Sequence, residues 1–215
     1  MSETDGWVGF RGAVGEDGSE VNALRFLVRS VLSEVATSMV VKVVAVRKNG
    51  ELGQPGTIDV TPLVHQIDGL GNVHPHGTIF NVPYHRMQNG GHGIIMDPKV
   101  NDVGVIVCAS RDISAVKANG GAASAPGSHR RHDYADALYV GTVMATAAPG
   151  QYVQFTDDGI VLHSPGTVTI SAPNIKLVGN VQQSGGTVIS NGHSIDDTHR
   201  HKDVQPGGGL SGVPQ

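Results

Sequence analysis

Hydrophobic and polar positions change their period along this chain, and the changes divide it into segments. Between residues 19 and 36, Leu24, Leu27, Val28, Val31, Leu32 and Val35 recur at spacings of three and four, while Glu20, Arg25, Arg29 and Glu34 lie largely on the other side. That is the period of an amphipathic helix, with Ser19 as its N-cap. Its apolar stripe suits an oligomer contact, a lid on a barrel, or ordinary packing against its own domain.

From Met39 to about Thr142 the pattern becomes one of strands and turns. Val40-Val41-Lys42-Val43-Val44-Ala45-Val46 is rich in β-branched residues, and Asn49-Gly50 is a hairpin-type turn. Further candidate strands fall at residues 56–60, 64–67, 78–82 and 103–109. One helix followed by several short strands predicts a small β-barrel of the oligonucleotide/oligosaccharide-binding (OB) type. Such a fold does not dictate the job it does.

Beyond about Gly150 the segments shorten again. Residues 159–164, 166–171, 174–179 and 186–190 alternate apolar and polar, with Ile160/Leu162, Val168/Ile170 and Ile175/Leu177 as the apolar pairs, and Gly, Pro or Asn separates them. One such ribbon has too little apolar surface to fold alone and leaves open strand edges. Three intertwined copies would bury the apolar positions on a common axis and close those edges, which reads as a trimeric β-helix. A monomeric solenoid or sandwich is the competing reading. His163 is out of phase with Ile160 and Leu162 and is expected to face outward.

Composition narrows the function. Thirty glycines and 4% aromatic residues argue against a conventional large core, and a net charge of −4 argues against nonspecific binding to nucleic-acid phosphates. The single cysteine, Cys108, sits in an apolar run and reads as a buried, inert thiol. No signal peptide is expected at the start, and no stretch of about 18 apolar residues could span a bilayer. The expectation is a protein made in a cytoplasm and soluble there.

Eleven histidines invite a search for chemistry. His199 and His201, two residues apart, present their imidazoles to one face of an extended strand. Two ligands from one chain make a poor metal site, but three copies on a three-fold axis supply six nitrogens, a donor set suited to iron, zinc or nickel. His74-Pro75-His76 is a second such pair, weakened by the proline and the following Gly77. His129 and His132 flank two arginines and are read as hydrogen bonding that ties the loop 119–128 to the barrel. His65, His85 and His92 stand alone, and His193 precedes the metal pair as a candidate rim residue. No nucleophile elbow, phosphate-binding glycine loop or His-Glu-x-x-His helix occurs. Asp196-Asp197 lies beside the metal pair, but a six-histidine shell leaves no open position for a water nucleophile, so the site reads as structural.

Several segments resemble the membrane-puncturing central spike proteins of contractile phage tail baseplates. Residues 102–113, Asp102-Val103-Gly104 through Arg111-Asp112-Ile113, look like that family's "G-D-x-G … F-x-x-R-D-I" strand. Residues 129–137 look like its "R-x-H-x-x-x-D-A" segment. Val82-Pro83-Tyr84 and residues 89–93 fit between. Asn101 replaces a commoner glycine and Cys108 a commoner aromatic. The tail, His199-Arg200-His201 followed by Pro206 to Gly209, is similar to the family's apex, where a His-x-His pair from each of three chains binds iron.

The resemblance covers most of residues 39–215 and implies an OB-fold-like barrel (39–145), a trimeric β-helix (146–192) and a metal-binding apex (193–215), preceded by the N-terminal extension and helix (1–38) read from periodicity. It implies a non-enzymatic homotrimer at the tip of the virion tail baseplate, assembled in the host cytoplasm. Such a spike docks to a baseplate hub protein, carries one iron ion per trimer and pierces the host outer membrane. Another transition metal is compatible with the same ligands. The alternative is an adhesin that binds a surface glycan through loops or tip, for which Trp7, Tyr84, Tyr134, Tyr139 and Tyr152 are few and scattered. A metal-dependent hydrolase would need a catalytic domain that no residues remain to build.

Overall fold

The computed structural model describes residues 20–47, 52–53, 55–68, 70–145, 147–195 and 207, and the protein is mainly β with one long helix. Helix α1 spans Glu20–Ser33. It stops short of residue 36 because the Glu34 and Val35 N–H groups turn back to the carbonyls of Val31 and Leu32. The Ala36 N–H then leaves the helical path to donate to the His132 carbonyl at 2.9 Å. Ala36 is thereby drawn into the core, 7% exposed. Ser19, expected as the cap, and the Asn49-Gly50 turn lie outside the described residues.

The strands of the first half are β1 (Ser38–Arg47), β2 (Thr57–Pro62), the short pair β3 (Gln66–Ile67) and β4 (Val73–His74), and β5 (Ile79–Pro83). The hairpin β6 (Met87–Asn89) and β7 (His92–Ile94) comes next, then β8 (Val103–Cys108). Helix α2 (Ser114–Ala118) and a single 3-10 turn (Tyr134–Asp136) lead into β9 (Ala137–Met144). Five strands form one sheet in the order β5-β2-β1-β8-β9, every neighbour antiparallel. Its two edges meet beyond β5, where Tyr84 forms a parallel bridge with Tyr139 and the His85 N–H donates to the Tyr139 carbonyl at 2.8 Å.

Period two decides which side chains enter the core. Val41 and Val43 of β1, Ile58 and Val60 of β2, Ile106 and Cys108 of β8, and Ala137 and Tyr139 of β9 face inward and are buried. The β1/β2 register slips between Val43 and Ala45, and this bulge leaves Val44 exposed while Val46 packs against the core. The Val43 N–H and C=O bond Asp102 and Asn101 instead, each at 2.9 Å. Asn101 has φ +79°, in the left-handed region. That is why glycine suits this position, and asparagine is among the few side chains that tolerate it.

The second half contains β10 (Tyr152–Thr156), β11 (Gly159–His163), β12 (Ile189–Ser190) and β13 (His193–Ser194), arranged as two hairpins. Here the structure departs from expectation. Of the strands read at 166–171, 174–179 and 186–190, only Ile189–Ser190 lies in a strand. A strand needs a hydrogen-bonded neighbour as well as alternation, and the described chain supplies none to these segments. In the sheet half, the segment read at 64–67 shortens to Gln66–Ile67, paired only with β4.

Candidate functional site

An uncovered apolar face begins at the β10–β11 hairpin. The turn Asp157-Asp158 sets its register as Val153 opposite Leu162 and Phe155 opposite Ile160. These four side chains share one face. All are exposed, Phe155 at 77% and Ile160 at 67%. The other face carries Tyr152, Gln154 and Thr156 opposite His163, Val161 and Gly159. There the Tyr152 and His163 rings stack with centroids 5.1 Å apart. His163 thus takes the face opposite Ile160 and Leu162, as its phase predicted.

Between this hairpin and β12 the chain forms no strand, yet Val168, Ile170, Ile175 and Leu177 keep their alternation and are exposed. No backbone–backbone hydrogen bond ties residues 165–187 to any other described residue. A single copy leaves both the apolar side chains and the ladder groups of this stretch to solvent. The chain then reverses at Asn191-Gly192, where both residues have positive φ (49° and 81°), the geometry of a two-residue hairpin turn. That turn sets Ser190 opposite His193 and Ile189 opposite Ser194. The predicted metal ligands His199 and His201, with Asp196 and Asp197, lie outside the described residues.

The segments 102–113 and 129–137 come together at one place. Arg130 lies between two carboxylates, Nη2 at 3.1 Å from Asp112 Oδ2 and Nε at 3.3 Å from Asp136 Oδ2. Both aspartates are buried, at 5% and 0% exposure. The Ser128 hydroxyl and the Ser114 N–H also donate to Asp112, and the Ile113 N–H donates to Asp136. Hydrogen bonds from Ser114 and Ser128, assisted by the Arg130 charge, hold the Asp112 carboxyl well below the usual carboxylate range. The loop 119–128 is therefore fastened by Ser128 and Arg130 rather than by histidine rings. His132 contributes its backbone, with φ +48° and its carbonyl bonded to Ala36. Its Nδ1 is buried without a hydrogen-bond partner.

The second histidine pair does not converge. His74 Nε2 bonds Asp68 at 3.1 Å, whereas His76 packs edge-on against Tyr134. Among the described residues no three His, Cys, Asp or Glu side chains gather as ligands for a metal. Cys108 is buried, and desolvation pushes its thiol pKa up, which favours the unreactive protonated form.

Two ion pairs gave no signal in the sequence. Arg86 grips Asp97 through two bonds of 2.7 Å, with side chains 1% and 7% exposed. Arg47 pairs with the buried Asp59, which also accepts from the Asn81 N–H. Strand β10 and the Asn191-Gly192 turn were also missed, although each has a readable cue. The cues are alternation before Asp-Asp-Gly and an Asn-Gly dipeptide between β-like runs.

Set against known proteins, the chain matches no family model and no curated sequence.

Proposed function

We propose that this chain is the central spike of a contractile phage tail or a related injection device, a non-enzymatic homotrimer that pierces the host outer membrane. The observation that carries this reading is the uncovered apolar face of Val153, Phe155, Ile160 and Leu162, continued by the unpaired, alternating ribbon through Leu177. Edges and apolar faces left open in one chain are closed when three ribbons interlock about an axis. The resulting element is a trimeric β-helix, stiff enough to transmit force.

The first half is read as an OB-type barrel. The order β1-β2-β5-β9-β8 returning to β1, with a parallel bridge between Tyr84, just past β5, and Tyr139 of β9, supports that reading. Its role is to dock the needle on a baseplate hub protein. The Asp112–Arg130–Asp136 clamp fits such a base, because it fixes the long loop to the sheet and offers no open nucleophile.

At the far end, His199 and His201 of each chain are the residues to hold one iron ion per trimer. The donor set is neutral imidazole from residues at i and i+2, which suits a first-row transition metal. When bound, such an ion would cross-link three chain ends and leave chemistry to none of them. Sedimentation equilibrium with elemental analysis of the same sample tests the proposal. It calls for a mass of three chains and one metal ion per three chains, and a monomer at micromolar concentration overturns it.

A further inference from the structure

Helix α1 is a second uncovered apolar surface, at the other end of the chain, and the spike reading leaves it without a role. No residue of α1 is buried. Val21, Leu24, Val28 and Val31 follow one another at spacings of three, four and three and are 57%, 61%, 57% and 64% exposed. That is a/d spacing over two heptads, the pattern a coiled-coil seam uses. Leu27 and Leu32 flank the seam and line a shallow apolar groove with Val28 and Val31.

We infer that α1 packs against α1 of two further copies as a parallel, in-register three-helix coil. The inference rests on the three-copy reading above, and the sequence of the helix itself selects the partner and its direction. In a parallel coil each g position meets the e position of the next heptad on the neighbouring helix. With Val21 and Val28 at a, the g/e pairs are Glu20 with Arg25 and Leu27 with Leu32. One pair is charge-complementary and the other is apolar. An antiparallel coil would put g against g and e against e, so Glu20 and Arg25 would lose each other. Apolar residues at g and e also widen the seam beyond what a two-stranded coil covers.

At 14 residues the helix is marginal alone, so it associates only where the rest of the molecule raises its local concentration. Its short connection to β1 is pinned by the Ala36 N–H to His132 and the Cys108 N–H to Thr37. Three sheets gathered on an axis therefore hold three helices close together.

The test uses full-length Val21→Cys and Val28→Cys proteins treated with a short bismaleimide. The native Cys108 is only 8% exposed, so wild type serves as the blank. The expected result is a shift from the one-chain to the two-chain band on a denaturing gel for both variants. Glu20→Arg should reduce that band in either background, and adding Arg25→Glu should restore it. A native mass of three chains with no two-chain band at either position overturns the helix association and leaves the spike reading standing. Another occupant, such as residues 1–19 or a hub protein, would then cover the face. Failure of the double charge swap to restore the band overturns the parallel pairing. A one-chain native mass sinks both proposals.

Discussion

The ring of Tyr139 occupies the space in which Gly104 would carry a side chain. A Cβ on Gly104 would collide with the Tyr139 hydroxyl and ring and with the Gly141 carbonyl. The two residues lie on the neighbouring strands β8 and β9, and Tyr139 is 2% exposed. Gly104→Ala should therefore overpack the core and destabilise the fold by about 1–3 kcal/mol. Urea unfolding should register a lower midpoint at unchanged slope. An unchanged midpoint would mean that the ring has room to retreat.

The Asp112 carboxyl has a pKa below its ordinary value of about 3.9. A depressed folded-state pKa gives stability that is fully present above the unfolded value and lost as pH falls through the folded one. Asp112→Asn should accordingly be less stable than wild type at neutral pH, with the gap narrowing as pH drops below about 4. Thermal midpoints across that range are the check. A gap that stays constant with pH would assign the loss to shape rather than charge.

Adjacent residues of β10 face opposite ways, which separates the two sides of the hairpin by mutation. Phe155→Asp charges the apolar face and should shift the assembly toward single chains in sedimentation velocity. Gln154→Asp charges the face shared by Tyr152 and His163 and should leave the mass unchanged. Equal effects from the two would argue against a single buried face.

Replacing His199 and His201 together with alanine should abolish the metal content found by elemental analysis. The three-chain mass should survive, because the apolar ribbon does not depend on the ion. Imidazole must be neutral to ligate, so wild-type protein should release its metal as pH falls below about 6. One ion per chain, or full metal retained in the double variant, would refute a shared apex.

The sequence by itself determined features whose cause is local. The period of Leu24, Leu27, Val28 and Val31 made α1, and the phase of His163 put it on the hairpin face away from Leu162. These follow from bond geometry within a few residues. Tertiary structure decided everything that depends on distant partners. Arg86 found Asp97 and Arg47 found Asp59 because folding brought them together, and nothing near either arginine in sequence announces its mate. His74 and His76 turned to Asp68 and Tyr134, although their spacing matched a ligand pair. Asn101 and Gly104, read only as motif positions, acquired reasons: a positive φ for one and the Tyr139 ring for the other. The ribbon from residue 166 to 179 has the alternation of strands without forming any, because a ladder is made by two backbones and the described chain supplies one.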